Sequence, residues 1–317
     1  MNGCGLKSPA GTIVAYGEVL WDLLPGGAVL GGAPFNFACR IGTFGFTARM
    51  ASRLGRDAYG DRALAEGERL GLDMSLVQRD SERPTGTVNV ILDGDGVPDF
   101  TIITDVAYDH IKAEDAILAA ASHAGCICFG TLIQRAERSR GTLAAMLAAA
   151  PLSCLRFLDI NLRKSCFSRK TVDSSLDHAD ILKLNEVEIA VVAGMFGYPQ
   201  EIRPFVETVI AKRELSACVV TFGAKGAFAM SGNGEQVYSP GFEVTVVDTV
   251  GSGDAFSAGF VSRILRKDSL AEACETGNVL GALAATKHGA TSPVTWDEMD
   301  RLHESLANRI VHPAFPL

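Results

Sequence analysis

The stretch Asp248-Thr249-Val250-Gly251-Ser252-Gly253-Asp254-Ala255-Phe256 is the most informative part of this sequence, because it places two glycines at the start of an apolar helix predicted over 254–265. Backbone N–H groups that are free at such a point, together with the helix dipole, favour a bound anion. A carboxylate beside an anion-binding turn is what phosphoryl transfer to an alcohol requires. We therefore expect a general base at Asp254 and an anion hole formed by Gly251, Ser252 and Gly253.

Other interpretations of this stretch are weaker or are excluded. Asp254 considered alone would be an ordinary helix N-cap. A dinucleotide-binding fingerprint needs a small residue where Phe256 stands, and the P-loop pattern Gly-x4-Gly-Lys-Ser/Thr is absent from the chain. A nucleotide would therefore be bound by a different loop, and a nucleotide-dependent oxidoreductase is disfavoured.

Apolar strand-like segments alternate with helix-like segments along most of the chain, which predicts an α/β fold with a mostly parallel central sheet and helices on both faces. The predicted strands are 12–16, 47–51, 126–129, 155–160, 181–184 and 217–222. The predicted helices between them are 34–44, 57–70, 114–122, 135–149, 186–193 and 204–213. They are followed by a β-like run over 237–247 and by helices over 254–265, 270–288 and 296–306.

Two segments interrupt this alternation and predict a small separate sheet. Residues 19–30 are apolar around Pro25-Gly26-Gly27, and residues 85–105 hold two strand-like runs around Asp93-Gly94-Asp95-Gly96; both patterns are typical of hairpins. Paired together, the hairpins would form a small β-sheet lid from segments at about 18–31 and 85–108, inserted within one domain over 12–308. The alternative is an antiparallel extension of the main sheet.

Composition limits the class of protein. The 317 residues include 29 Lys and Arg against 37 Asp and Glu, a net charge of −8, which argues against nucleic acid as a partner. The eight cysteines are scattered with no Cys-x-x-Cys pair, so a zinc site is disfavoured, and free thiols in a reducing, cytoplasmic environment are expected. No secretory signal or membrane span is visible, so no membrane partner is expected.

A second glycine cluster, Gly31-Gly32-Ala33-Pro34-Phe35-Asn36-Phe37-Ala38, joins the first hairpin to a helix. Its glycines suit a hinge or a close approach to a ligand, and Asn36 lies near the start of the helix. Four motifs follow one another in the same order as in a known family: this cluster, Asn185-Glu186-Val187-Glu188, Thr221-x-Gly223-x-x-Gly226 and the 248–256 stretch. The sequence resembles the PfkB (ribokinase-like) carbohydrate kinases over roughly residues 12–308, and this resemblance implies a ribokinase-like fold.

The resemblance implies a role for each matching residue. Asp254 would accept the proton of a sugar hydroxyl, and ATP would be bound with Mg²⁺ organised by Glu188. Asp248 would lie at a monovalent cation site, for K⁺, together with the backbone of the 289–292 turn. The sugar would be bound by Asp22, Gly31, Gly32, Asn36 and Arg163, and the nucleotide by Asn185, Thr221, Gly223, Gly226 and Asn278.

The predicted lid contains no Lys or Arg between residues 86 and 111, and this favours a neutral sugar over an anionic one. Arg163 or Lys183 could still supply a positive charge from the main domain. Gly17-Glu18-Val19-Leu20-Trp21-Asp22 most resembles fructokinase-type members, so D-fructose is the expected acceptor, with ribose and a nucleoside as alternatives. A non-catalytic sugar or nucleotide sensor is the competing class. The resemblance also implies a homodimer formed through the lid.

Overall fold

The structure is a computed structural model that describes residues 11–24, 26–92, 98–164, 166–305 and 308–316. The predicted turn over 93–96 lies outside these residues. The helices are α1 (Ala33–Gly42), α2 (Ala58–Arg69), α3 (Asp115–Ser122), α4 (Glu137–Ala149), α5 (Arg169–His178), α6 (Glu186–Phe196), α7 (Ile202–Arg213), α8 (Ser252–Leu265), α9 (Leu270–Ala285) and α10 (Trp296–Glu304). The strands are β1 (Thr12–Tyr16), β2 (Leu20–Leu24), β3 (Gly27–Gly31), β4 (Ala48–Gly55), β5 (Val77–Asp80), β6 (Gly86–Leu92), β7 (Pro98–Ile102), β8 (Ala124–Phe129), β9 (Leu155–Asp159), β10 (Ile181–Asn185), β11 (Ala217–Thr221), β12 (Ala227–Ser231), β13 (Gln236–Ser239), β14 (Gly241–Phe242) and β15 (Arg309–Ile310).

The central sheet has nine strands in the order β13-β12-β11-β10-β9-β8-β1-β4-β5. The strands from β11 to β5 in this order are mutually parallel, whereas β12 is antiparallel to both β11 and β13. The expected mostly parallel sheet is therefore confirmed. The carboxyl ends of its parallel strands lie along one edge, which is where ligands bind in open α/β sheets.

Helices cover both faces of this sheet because its strands alternate between two apolar cores. In β1, Ile13 and Ala15 belong to a cluster that also contains residues of α1, α2, α8 and α9. The intervening Val14 and Tyr16 belong to a cluster with residues of α3 to α7. All four side chains are fully buried. A strand enclosed on both faces has the continuous apolar sequence from which β1 was predicted.

The small separate sheet is also confirmed, and the alternative of an antiparallel extension of the main sheet is wrong. Its four strands lie in the order β3-β2-β6-β7, with β2 and β6 parallel and the two outer pairs antiparallel. Trp21 on β2 attaches this sheet to α2. Its indole Nε1 donates to the carbonyl of Tyr59 at 3.0 Å, and the Arg62 guanidinium lies 4.6 Å above its ring.

Several elements differ from the sequence prediction for local reasons. The sequence of α5 is mostly polar, with Val172 and Leu176 as its only apolar residues, and Ser168 caps the helix by accepting from the Thr171 N–H. The short strands β5 and β12 were not predicted. The β-like run over 237–247 holds only β13 and β14, because Pro240 interrupts it. Helix 270–288 ends early, at Ala285.

Helices α8 and α9 approach each other closely. This close packing holds the start of α8 at the carboxyl edge of the central sheet. A Cβ on Gly259 would lie 2.8 Å from the carbonyl oxygen of Thr276, and a Cβ on Gly277 would lie 2.8 Å from the Phe256 ring. Both positions therefore require glycine for the observed packing.

The cysteines of the described residues are all free thiols, as expected, and those at 126, 128, 154, 218 and 274 are buried. In the same residues no helix is both long and apolar enough to cross a membrane.

Candidate active site

The two glycine motifs meet at the carboxyl edge of the central sheet. The Asn36 side chain, in the first turn of α1, donates from Nδ2 to Oδ2 of Asp254 at 2.8 Å across 218 residues of sequence. Asn36 is 4% exposed and its Oδ1 has no hydrogen-bond partner among the described residues; the same is true of the buried Ser252 Oγ. Buried polar atoms are normally paired, so these two atoms indicate a place where a ligand binds.

The carboxyl of Asp254 does not cap its helix, so the N-cap interpretation is wrong. Helix α8 begins at Ser252 with Gly251 as its N-cap and with no side-chain capping bond, and Asp254 is its third residue. Gly251 has φ of 77°, and a Cβ there would collide with Ala290. Glycine is therefore required at this position. The Ser252 N–H donates to the Thr249 carbonyl at 3.2 Å, whereas no side chain caps the start of α8, so the N–H groups of Gly251 and Gly253 are the candidates for binding an anion.

The pKa of Asp254 is raised to about 6 by burial and by the nearby Asp159, in spite of the opposing effects of Asn36, Lys183 and Arg163. A carboxyl with this pKa is ionised at neutral pH and is still basic enough to accept a proton.

A buried ion pair lies beneath the start of α8. Lys183 on β10 is the register partner of Asp159 on β9, and its Nζ lies 3.0 Å from both carboxylate oxygens. Ser257 of α8 donates to Oδ2 of Asp159 at 2.8 Å. A Cβ on Gly253 would lie 3.3 Å from the same Nζ. Burial alone would lower the pKa of Lys183, but Asp159, Glu188 and Asp254 raise it, so this amine is a fixed positive charge.

Glu18, directly after β1, is a functional candidate that the sequence analysis did not identify. Its Oε1 accepts from the N–H of Ala33 at 3.3 Å, so it caps α1, whose N-cap Gly32 has no side chain. The side chain is 4% exposed. Burial, together with the charge of Asp254, raises the pKa of Glu18 to about 7. An acidic residue placed immediately after a wholly apolar strand was the available signal.

Replacing Glu18 with Gln should stabilise the protein at alkaline pH. The folded-state pKa of about 7 lies above the ordinary value of 4.5, so the folded protein holds this proton more tightly and loses stability as pH rises between those values. At about pH 8, Glu18→Gln should raise the free energy of unfolding by on the order of 1–3 kcal/mol. Urea unfolding at several pH values measures this.

The gain should fall towards zero well below pH 4.5, where the wild-type carboxyl is protonated in both the folded and the unfolded state. The matched control is the exposed Glu68→Gln, which should leave the free energy of unfolding unchanged at both alkaline and acidic pH. A stabilisation of Glu18→Gln that did not vary with pH would contradict the assigned pKa.

Asp22 and Arg163 are close enough for the charge of one to act on the other. Asp22, on β2, lies beside Gly31 of β3, where a Cβ would be 3.4 Å from Asp22 Oδ2. Arg163 follows β9 in a loop where Asn161 and Lys164 adopt φ of 40° and 31°, a strained conformation for non-glycine residues. Burial raises the pKa of Asp22, and the Arg163 guanidinium lowers it. Arg163 acts in the same direction on Glu18 and Asp254.

A cavity of about 760 Å³ separates β7 from the loop that follows β9. Three cationic side chains of the main domain line it, those of Arg135, Arg163 and Lys164. Arg135 is neutralised by a buried pair with Asp109, with two N–O distances of 2.8 Å. The positive charge that the small sheet lacks therefore comes from the main domain.

Asn185 and Glu188 form a reciprocal capping box at the start of α6. Asn185 Oδ1 accepts from the Glu188 N–H at 3.0 Å, and Glu188 Oε2 accepts from the Asn185 N–H at 2.8 Å. Glu188 Oε1 accepts from the Leu162 N–H at 2.8 Å. Burial raises the pKa of Glu188. The described residues hold no group of three or more His, Cys, Asp or Glu side chains that could enclose a metal ion.

Two of the predicted nucleotide residues, Asn185 and Thr221, lie at the carboxyl ends of β10 and β11. Thr221 ends β11, and Gly223 (φ 57°) and Gly226 (φ 88°) shape the turn that follows. A Cβ on Gly226 would collide with the carbonyl oxygen of Ser239. Asn278 of α9 donates to that carbonyl at 2.9 Å, so its amide holds the 239–241 turn in place.

Asp248 joins two turns. Its Oδ1 accepts from the Val250 N–H and its Oδ2 from the Gly289 N–H, both at 3.0 Å. The second turn, over 289–292, is also held by Arg40 of α1, a residue that the sequence analysis did not identify. A lone arginine within an apolar helix was the only signal for it.

This arrangement, a mostly parallel sheet with a small sheet beside its ligand-binding edge, is that of a sugar kinase. The model of the pfkB family of carbohydrate kinases matches residues 27–297, and the chain belongs to that family.

Known relatives agree with this assignment. Fructokinase-1 of Zea mays is 29% identical over 306 residues, which covers 88% of this chain and 93% of the relative. The Vibrio cholerae O395 fructokinase, solved with fructose, ADP and calcium ion, has a TM-score of 0.81 at 25% identity and covers 94% of this chain and all of that one. A double mutant of it was solved with fructose, ADP and potassium ion. An uncharacterized Pyrococcus horikoshii sugar kinase, solved with ATP, has a TM-score of 0.79 at 27% identity, covering 92% and 99%.

Proposed function

We propose that this chain transfers the γ-phosphoryl group of ATP to the 6-hydroxyl of D-fructose, with Asp254 as the general base. The observation that carries the proposal is the 2.8 Å contact between Asn36 and Asp254, because it unites an acceptor-side motif with the anion-binding turn. The Vibrio cholerae relative with bound fructose supports the choice of acceptor, and the Pyrococcus relative with bound ATP supports the choice of donor.

The acceptor binds between the small sheet and the central sheet. Asp22 and the unpartnered Oδ1 of Asn36 accept hydrogen bonds from sugar hydroxyls. Arg163 donates to sugar oxygens from the loop after β9. The small sheet acts as a lid that closes about Gly31 and Gly32 and excludes water.

A neutral sugar suits the charge of this pocket. Glu18, Asp22 and Asp254 contribute three carboxyl groups, and the Arg163 guanidinium faces all three. A sugar that carried its own carboxylate or phosphate would add to an excess of negative charge, whereas hydroxyl groups can donate hydrogen bonds to it. The absence of Lys and Arg from the predicted lid does not by itself favour a neutral sugar, because the main domain contributes Arg135, Arg163 and Lys164 nearby.

The nucleotide lies along the carboxyl edge, against Asn185, Thr221, Gly223, Gly226 and Asn278. Both oxygens of Glu188 already accept backbone N–H groups, so Glu188 would act on Mg²⁺ through water, with the ion held mainly by phosphate oxygens and water. When bound, Mg²⁺ neutralises charge on the phosphates.

In the transfer step, the sugar oxygen forms a bond to the γ-phosphorus while its proton passes to an Asp254 oxygen. The bond between the γ-phosphorus and the bridging oxygen of ADP breaks, and ADP leaves with that electron pair. Backbone N–H groups of Gly251 and Gly253 stabilise the charge on the moving phosphoryl group, with Lys183 beneath them.

The test is ADP release from MgATP with fructose, ribose, glucose, 2-keto-3-deoxygluconate, adenosine or no acceptor. We expect fructose to stimulate release most strongly, with a kcat/KM at least about tenfold above that of any other acceptor. Stronger stimulation by another member of the panel would overturn the fructose assignment. Sugar or nucleotide binding without turnover on any acceptor would favour a sensor.

A further inference from the structure

Arg40 is a buried cation that is held by carbonyl oxygens. It lies one turn after Asn36 on α1 and is 2% exposed. Its Nε and Nη2 donate to the Ala290 carbonyl at 3.1 and 2.8 Å, and its Nη1 donates to the Ser292 carbonyl at 2.5 Å. Within the described part of the chain no carboxylate forms an ion pair with it. A buried charge is normally paired with an opposite charge, so this environment resembles that of a metal cation.

The turn that binds this guanidinium is also part of the candidate anion hole. A Cβ on Gly251 would collide with Ala290, so the turn over 289–292 supports the N-cap of α8 directly. Asn36 and Arg40 are four residues apart and share one face of α1. That face therefore contacts Asp254 through Asn36 and the supporting turn through Arg40.

The K⁺ site expected at Asp248 and the 289–292 backbone does not fit these residues. Both oxygens of Asp248 accept backbone N–H groups, from Val250 and Gly289. The carbonyls of Ala290 and Ser292 accept from Arg40. A K⁺ ion on those carbonyls would lie next to the guanidinium, and two like charges at such a distance repel each other strongly in a protein interior.

We propose that Arg40 takes the place of a monovalent cation in this chain, so that its phosphoryl transfer does not depend on K⁺. The proposal rests on the function proposed above and makes Arg40 a positioning residue. It orders the 289–292 turn against Gly251 and adds a fixed positive charge to the end of α8 where phosphoryl charge develops. A solved relative holds a potassium ion, so the two proteins would differ in whether such an ion is bound.

The guanidinium suits this role chemically. Burial lowers its pKa and the charge of Asp254 raises it, but an arginine remains protonated in proteins. Its planar donors match two carbonyl oxygens that project from one turn, and they hold a fixed geometry without an ion that can dissociate.

The experiment compares turnover in chloride salts of K⁺, Na⁺ and tetramethylammonium at constant ionic strength. The wild type should show less than about a twofold difference between them. Arg40→Ala should be about 10- to 100-fold slower in tetramethylammonium, because the turn is no longer fixed. K⁺ or methylguanidinium should restore a large part of this loss at saturating concentration. Arg40→Lys should be slower than the wild type and still independent of K⁺.

The matched control is Arg266→Ala. Arg266 also donates to a main-chain carbonyl, that of Phe44 at 2.5 Å, but it lies at the far end of α8 from the anion hole. Arg266→Ala should show neither the loss of turnover in tetramethylammonium nor a rescue by K⁺ or methylguanidinium.

The proposal is overturned if K⁺ stimulates the wild type severalfold. It is also overturned if Arg40→Ala is slow and no cation restores its turnover, because Arg40 would then be only a packing residue.

Thermal unfolding of the wild type provides a readout without turnover, and K⁺ should raise the Tm no more than tetramethylammonium does. A specific rise with K⁺ would overturn the proposal even if Arg40→Ala does not fold. A wild type that phosphorylates none of the acceptors would instead contradict the proposed function.

Discussion

Asp254→Asn should lower kcat by about 10³-fold or more, while the protein folds normally and binds sugar with nearly unchanged affinity. The amide is isosteric with the carboxylate and can still accept from Asn36, so the pocket keeps its shape. It cannot accept the proton of the attacking hydroxyl. Coupled detection of ADP gives kcat, calorimetry gives sugar affinity, and thermal unfolding reports on the fold.

The wild-type pH profile gives an independent measurement of the same group. Because the pKa of Asp254 is raised to about 6, kcat/KM should fall as pH decreases through that value. Asp297→Asn, an exposed change on α10, is the control and should leave the profile as it is. Turnover of Asp254→Asn close to that of the wild type would exclude Asp254 as the base.

Lys183→Met should have the next largest effect, on both stability and turnover. Removing the amine leaves the buried Asp159 carboxylate without its charge partner, and breaking a buried pair in this way costs about 3–5 kcal/mol of unfolding free energy. Lys183 also lowers the pKa of Asp254 and Glu188. Without it, the acid limb of kcat/KM should move to higher pH, and kcat should fall by about 100-fold.

Urea unfolding and pH–rate profiles measure these effects separately. The double variant Lys183→Met/Asp159→Leu should regain much of the lost stability, because no unpaired charge remains buried, and it should stay slow. Lys212→Met, on the exposed end of α7, is the matched control. A Lys183→Met protein with an unshifted acid limb would show that this amine does not act on Asp254.

The local sequence was sufficient to predict the parallel strands except β5, and the small sheet. β1 was predicted with its observed limits because a strand buried on both faces is apolar throughout. The paired hairpins were predicted from turn residues and alternation, and their separation from the main sheet is confirmed. In contrast, α5 is mostly polar, and its two apolar residues, Val172 and Leu176, were too few to predict a helix.

The site was less predictable because its contacts are distant in sequence. Asn36 and Asp254 were both identified from their glycine motifs, but no local pattern states that they touch. The Lys183–Asp159 pair depends on the register of neighbouring parallel strands, which the sequence does not give. Arg40 was not singled out from the sequence, and only its buried position against the 289–292 turn gives it a role.

The distances in sequence between α1 and its partners also have a consequence for biosynthesis. Asn36 precedes Asp254 by 218 residues and Arg40 precedes Ala290 by 250. As the nascent chain leaves the ribosome, α1 therefore emerges long before the carboxylate and the carbonyls that its polar face will contact. Long-range contacts of this kind are formed late and leave partly folded chains open to aggregation. Translation must reach the 289–292 turn before a newly made molecule can complete its anion hole.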